Sequence, residues 1–437
     1  MPRVLFVTLG CAKNEVDTDR MRALLLASGY TEAIVVDDAD VIIINTCSFL
    51  ASATSESVET TLELADMVAS GVRKRPIVMC GCVPSRYGAD LPGELPEVAA
   101  FVRADEEDGI VSVIDGVLGL ETGAANVPNA LRTVEGASAY IKISDGCNRF
   151  CSFCAIPYIR GRYYSRPYDE IADEVRRLAE GGVREFVLIG QDTGIWGHDF
   201  EEPLTLAWLL RKVAALVRDV DGGVRVLYLQ PEGMTDELVA TIRDTPEVLP
   251  YIDIPIQHCS ERILKSMNRS GSADQLRGLF ARLRSEIPGM VLRTTGMAGF
   301  PGETDEEADE LYDFIAEQEF DYTSVFAFSP EDGTRAAKLP GQVDEDVKLE
   351  RTQRLIDLTE QLGFSATAKH VGERVKVIID GVEESDEGVE LIGHAWFQAP
   401  DSDGAVHIQS GEASVGDIVT CDLVDSFCYE LIGEIVG

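Results

Sequence analysis

Apolar residues along this chain follow two rhythms in turn. Short continuous runs, "RVLFVTLG" (3–10), "DVIIINTC" (40–47) and "RPIVMCGC" (75–82), read as buried strands. Between them, "DTDRMRALLLASG" (17–29) and "SVETTLELADMVASG" (57–71) repeat apolar positions at helical spacing. Strand–helix alternation predicts an open parallel α/β sheet over residues 1–125. A stretch rich in small residues, 121–138, reads as a linker.

The alternation resumes over 139–370. Strand candidates are "AYIKIS" (139–144), "EFVLIG" (185–190), "RVLYLQ" (225–230), "YIDIPIQ" (251–257), "VLRTTGMAGF" (291–300) and "YTSVFAFS" (322–329). Helical stretches fall between them, such as 204–217 and 272–287. Another, over 304–319, opens with Thr304 and has Glu307 three residues on, a capping-box pattern. Six β/α units predict a partial, TIM-like (β/α)6 barrel, open where a closed barrel would have eight units. Its exposed side needs cover. From 371 to 437 five short strands and their turns predict a small β-barrel of the oligonucleotide-binding kind. The fold class is therefore α/β and multidomain, with three units.

Composition changes this picture in four ways. No run of 18 apolar residues occurs, which predicts no membrane span. The first apolar run reads as a strand and is too brief for a signal peptide, so the expected location is cytoplasmic. The formal charge is −38, from 38 basic and 76 acidic residues, which repels nucleic-acid phosphate and favours basic partners, although a solvated acidic surface gives the same count. Ten cysteines in a chain expected to meet a reducing compartment point to metal or redox chemistry more than to disulfides.

Three of those cysteines, Cys147, Cys151 and Cys154, share the short loop "DGCNRFCSFC" just past the first barrel strand. Site residues on such barrels sit at the C-terminal ends of strands. Thiolates are the ligands of an iron–sulfur cube. A structural zinc would need a fourth Cys or His at short spacing, and the nearest histidine in sequence is His198. Three thiolates on a cube leave one iron open to a small molecule. The C-x3-C-x2-C spacing, with Phe153 before the last cysteine, resembles the radical S-adenosylmethionine superfamily. That resemblance implies a [4Fe–4S] cluster whose open iron takes the amine and carboxylate of S-adenosylmethionine, and reductive release of a 5′-deoxyadenosyl radical. It also suggests Phe153 against the adenine. Gln191, just past a barrel strand, is either a further cofactor contact or a loop cap.

A second trio stands at equivalent places in the N-terminal segment. Cys11, Cys47 and Cys82 each end a predicted strand, about one β/α unit apart. In open parallel sheets ligands bind beyond the carboxyl ends of strands, so the three can meet. One such thiol would be core by default; three suggest a second three-ligand cluster. Cys80 competes with Cys82, because period two puts both on one side of an extended strand. Gly81 favours a turn at Cys82 and leaves Cys80 in the core. Cys259, Cys421 and Cys428 have no partners at ligand spacing and read as packing residues.

With this second trio the chain resembles the methylthiotransferases along nearly its whole length. "LGCAKNEVDTDRM", "INTCSF", "CNRFCSFCAIPYIRGRYYSRP", "IGQDT", "DIPIQHCSERILKSMNR" and "GFPGET" look like the RimO branch, which modifies an aspartate β-carbon on the twelfth small-subunit ribosomal protein. "MAGFPGET" departs mildly from the more aliphatic form of that motif. The resemblance implies two [4Fe–4S] clusters, a C-terminal TRAM domain and an electron donor such as flavodoxin or ferredoxin. It also implies that sulfur on the Cys11/Cys47/Cys82 cluster is methylated by one S-adenosylmethionine, then captured by the substrate radical that a second one generates.

The sister, MiaB-like branch acts on a tRNA adenosine and needs a positive surface for RNA. Residues 371–437 carry fifteen acidic and two basic residues, Arg374 and Lys376, a net of −13. That argues against direct nucleic-acid binding and for a basic ribosomal protein as substrate. A non-catalytic iron–sulfur redox protein is the alternative of another class; it would normally close both clusters with four protein ligands.

Overall fold

The computed structural model describes residues 1–71, 73–120, 132–134, 136–385 and 388–436. The predicted linker, 121–138, lies largely outside the described residues. The N-terminal sheet has five parallel strands: β1 (Arg3–Thr8), β2 (Thr31–Glu32), β3 (Val41–Thr46), β4 (Ile77–Gly81) and β5 (Val98–Arg103). They run in the order β2-β1-β3-β4-β5. Every residue of β3 and β4 is buried because helices cover both faces. Val41, Ile43 and Val78 meet the helices Ala12–Ala27 and Ile110–Leu118, while Ile42, Ile44 and Met79 meet Ala51–Ser70. The sequence pattern predicts three of these strands. It misses β5, whose "VAAFVR" is diluted by alanine, and the two-residue β2. The first helix also begins five residues earlier than its apolar rhythm suggests, at Ala12.

The central sheet contains all six predicted barrel strands: β6 (Ser138–Lys142), β9 (Glu185–Ile189), β10 (Gly223–Val226), β11 (Val248–Asp253), β12 (Val291–Ala298) and β13 (Tyr322–Ala327). Between the first two lies a short antiparallel pair, β7 (Ser144–Asp145) with β8 (Tyr164–Ser165). The parallel strands follow sequence order from β6 to β13, and the two ends do not pair, so the barrel is open. Thr304 and Glu307 form the predicted capping box on the helix Asp305–Gln318. Cover for the open side comes from two helices. Ala12–Ala27, from the N-terminal unit, lies along β6, and Glu345–Ala368 lies along β13.

Five strands, β14 (Arg374–Ser385), β15 (Gly388–Ala395), β16 (Val406–Ser410), β17 (Ile418–Phe427) and β18 (Glu430–Ile435), close the C-terminal barrel. It packs into the concave face of the central sheet. Alternation along β9 sends Phe186 and Leu188 to the outer helices, and Val187 and Ile189 to a core shared with Val377, Phe397 and Val406. The contact lies toward the N-terminal ends of the strands, where Glu185, Val291 and Tyr322 are the first residues of β9, β12 and β13. Among the described residues no helix is long and apolar enough to cross a membrane.

Ionic groups fix this docking. Glu185 takes Nε of Arg225 at 2.8 Å and Nε2 of His394 at 3.2 Å, and Arg225 donates to the carbonyl of Trp396 at 2.9 Å. Despite burial, Arg225 and His394 hold the Glu185 carboxyl down at about 2, and the two carboxylates around His394, Glu185 and Asp380, raise its imidazole to about 9. A histidine raised on folding stabilises fully below its free value of 6.5, and that contribution disappears as pH climbs through about 9. The thermal midpoint should therefore fall between pH 6.5 and 9, and in His394→Gln it should be lower at pH 6 and flatter across that window. Melting curves over pH 6–10 check this; an unchanged slope in the variant contradicts it.

Candidate metal centres at the barrel mouth

The loop carrying Cys147, Cys151 and Cys154 rises from the C-terminal end of β6. That strand stops at Lys142, two residues sooner than its apolar run suggests, because Ser144 and Asp145 turn to pair with β8 and pinch the loop at its base. Gly146 has φ +71°, and a Cβ there would lie 2.2 Å from the carbonyl oxygen of Arg162, so only glycine fits. Phe150 takes the left-handed region at φ +50° and is held there: Asn268 donates to the carbonyls of Arg149 and Phe150 at 3.0 and 3.1 Å. The Ser152 N–H bonds the Met267 carbonyl at 2.9 Å, and the Ser152 carbonyl accepts the Ala336 N–H at 2.7 Å. Two other barrel loops, at 267–268 and at 336, thus fix the cysteine loop.

Burial pushes all three thiols up, Cys154 to about 12, with the neighbouring thiols adding to the effect on Cys154. Arg269 and Arg149 oppose that shift at Cys151. Thiols in such a place stay neutral until a metal displaces their protons, and the guanidinium groups then compensate the thiolate charge. The donor set therefore fits a cluster. Over Cys151 and Cys154 opens a cavity of ≈ 200 Å³ walled by Phe150, Tyr158 and Asn268. Phe153 is half-buried against Ile263, Leu264, Met267, Phe300 and Phe328. Gln191 donates through Nε2 to Asp145 at 3.0 Å, and its buried Oε1 has no partner among the described residues.

The other trio gathers at the C-terminal edge of the N-terminal sheet. Cys11 follows β1 and caps the helix Ala12–Ala27, Cys47 follows β3, and Cys82 opens the helix Cys82–Tyr87 directly after β4. Gly10, at φ +103°, lies so close to Cys47 that a Cβ would come within 2.6 Å of the Cys47 Cβ. Gly81, at φ +92°, turns the chain out of the strand. An extended strand through Cys82 is therefore not formed. Cys80 is fully buried with Val4, Val41 and Val78, while Cys82 lies beyond the turn. Burial raises Cys47 and Cys82, the latter to about 12; Cys11 raises both, and Arg160 opposes. Cys259 and Cys421 are fully buried packing residues, and Cys428 contacts the Glu360 carbonyl at 3.5 Å. Among the described residues no three His, Cys, Asp or Glu side chains form a group that could hold a single ion. A cube places each thiolate on a separate iron, and so spaces its ligands more widely than one zinc does.

The two trios meet across a buried junction. Cys82 packs on Ala155 and Ile159, in the turn that leaves Cys154. Arg160 Nη2 donates to Asn14 Oδ1 at 2.6 Å and approaches Cys82 Sγ at 3.7 Å. Its Nη1 pairs with Asp17 at 2.6 Å and Asp145 at 3.3 Å. Lys142 pairs with the same two carboxylates. Although buried, Asp145 is held well below the usual carboxylate range by Lys142 and Arg160. Burial raises Glu107 beside them, and its Oε1 lacks a partner among the described residues. Nearby, Arg86 of the N-terminal unit bonds Glu331 at 3.1 Å and the Ser48 carbonyl at 2.7 Å. Sequence reasoning does not find these groups. The available clue is the helix Ala12–Ala27, where Lys13, Asn14, Asp17 and Thr18 are all buried on a helix with no apolar face at that end.

Comparison with known proteins agrees with this architecture. Residues 141–315 match the radical SAM superfamily, 3–103 the uncharacterized protein family UPF0004, and 371–436 the TRAM domain. The chain is 41% identical to the ribosomal protein uS12 methylthiotransferase RimO of Geobacter sulfurreducens, covering 100% of this chain and 99% of that one. It is 40% identical to the protein of that name from Trichlorobacter lovleyi, covering 99% and 98%. Among solved structures, the radical S-adenosylmethionine methyltransferase TsrM of Kitasatospora setae superposes with TM-score 0.57 at 15% identity, covering 77% of each chain. At that identity the likeness concerns the fold.

Proposed function

The chain belongs to the ribosomal protein uS12 methylthiotransferase family and is a radical S-adenosylmethionine enzyme; on that premise we propose that it inserts a methylthio group at the β-carbon of an aspartate in uS12, working in the cytoplasm. The observation carrying this reading is the junction at Cys82, which brings a second thiol trio against the turn that leaves Cys154. Cys147, Cys151 and Cys154 would hold the superfamily's [4Fe–4S] cluster, and Cys11, Cys47 and Cys82 would hold a second; bound there, they would supply an electron for reductive cleavage of S-adenosylmethionine and an open iron for sulfur.

The chain's own residues do the rest. Arg149 and Arg269 offset the thiolate charge around Cys151. Gln191, steered by Asp145, offers its unpaired Oε1 to a donor on the cofactor. Phe153, anchored among Ile263 and Phe328, braces the loop and offers its remaining face to the adenine. The N-terminal unit, 1–125, covers the open side of the barrel of 139–370, and 371–437 fills it from below, which narrows the access of water to a radical. The net of −13 on 371–437 suits a basic ribosomal protein and opposes RNA. Flavodoxin or ferredoxin is the electron donor expected.

The test is anaerobic reconstitution with S-adenosylmethionine and a peptide from the uS12 loop, read by mass spectrometry. A methylthio group on aspartate is the expected product. Modified tRNA adenosine instead moves the chain to the sister activity, and no deoxyadenosine at all leaves an electron carrier.

A further inference from the structure

Lys13 is two residues past Cys11 and only 9% exposed. Its Nζ lies 3.5 Å from the centroid of the Tyr228 ring. Among the described residues that ammonium forms no ion pair and donates no hydrogen bond. The other polar groups on the same buried end of the helix Ala12–Ala27 are all partnered. Asn14 bonds Leu9, Thr46 and Arg160; Asp17 pairs with Lys142 and Arg160; Thr18 meets Thr8 and Asn45. Lys13 alone has only an aromatic face. A cation–π contact gives roughly 0.5–2 kcal/mol, whereas taking an ammonium out of water costs several. The balance calls for an anion.

The platform is built with equal care. Tyr228 stands two residues past β10 at φ +61°, a conformation costly for a non-glycine residue. The Asp253 carboxylate accepts its N–H at 3.1 Å, and the Thr193 hydroxyl bonds its carbonyl at 3.3 Å. Lys13 and Tyr228 thus meet where the C-terminal strand ends of the two sheets face each other, the side on which both thiol trios stand. Arg160 is the cation beside the auxiliary thiols. Lys13 points elsewhere, onto a barrel residue, and sits in the first turn of a 16-residue helix whose dipole also favours an anion.

We propose that Lys13 is the carboxylate clamp of the substrate: its ammonium pairs with the side-chain carboxylate of the aspartate that is modified. That carboxyl carbon is bonded directly to the reacting β-carbon, so the pair fixes the reacting centre to within one bond. Asparagine, isosteric but uncharged, leaves the buried ammonium unpaired and is rejected. The proposal rests on the function proposed above. A second carboxylate is available on S-adenosylmethionine, and the test separates the two.

The experiment uses the full chain carrying its clusters, with S-adenosylmethionine bound, and two uS12 loop peptides differing only in Asp or Asn at the target. Wild type should bind the Asp peptide about tenfold or more tightly, the value of a charge-assisted bond. Lys13→Met and Lys13→Gln should bring the ratio to about one by weakening the Asp peptide alone, and Lys13→Arg should keep the preference. Cofactor affinity is measured in the same samples by equilibrium dialysis. A wild type without preference, a Lys13→Gln variant with the ratio intact, or a loss that falls on S-adenosylmethionine and not on the peptide overturns the clamp. A wild type that modifies no aspartate sinks the proposed activity itself; one that modifies it while the variant ratio stays unchanged sinks only the clamp.

Discussion

Cys151→Ala releases no 5′-deoxyadenosine from S-adenosylmethionine, a fall of about a thousandfold or more, and holds about half the iron of the parent chain. The size of the effect follows from the loop. Its three thiols act as one donor set, and removing one leaves two on a loop pinned by Asn268, Met267 and Ala336. Those bonds are to backbone atoms, so the loop keeps its shape and no other side chain swings in to replace the lost sulfur. The second trio keeps its iron because its supports, Ser57, Asn14 and Gly81, lie in another unit. Iron and sulfide per chain, together with chromatography of the nucleoside, measure both effects. Undiminished deoxyadenosine would falsify the assignment of that loop.

Cys47→Ala gives the opposite dissociation: deoxyadenosine continues to form, and methylthio product vanishes. The Cys47 N–H and carbonyl are both bonded to the Ser57 hydroxyl, at 3.1 and 3.0 Å, and alanine preserves both contacts. The local fold therefore survives while a ligand is lost. Cys80→Ala is the internal control. Its thiol lies in the core with Val4 and Val102, so truncation costs about 1 kcal/mol and leaves iron and product unchanged. Product from Cys47→Ala, or its loss from Cys80→Ala, reverses the choice of ligands.

Much of this was legible in the sequence for a simple reason. Strands covered on both faces must be continuously apolar, and helices covered on one must repeat at their own period, so "VIIINT" and "EFVLI" announce themselves. Thiols announce themselves by spacing. What stayed hidden depends on distant partners. Lys142 and Asp17 are 125 residues apart, and Arg160 and Asp17 are 143 apart. No local pattern foretells such pairing. A trace did exist: Arg225 and Arg293 sit inside strand runs, and a buried charge there needs partners. Each finds one on a neighbouring strand, Glu185 and Asp253, and the further groups His394 and Asp403 reveal where the C-terminal barrel docks.

The ionic knot between the N-terminal roof and the barrel bears on turnover. Parting the two would take Asp17 from Lys142 and Arg160, but Asp145, on the barrel side with them, would still pair with both. The barrel side of the junction stays charge-paired whether or not the roof is seated, so these ion pairs alone do not hold the enzyme shut through a turnover.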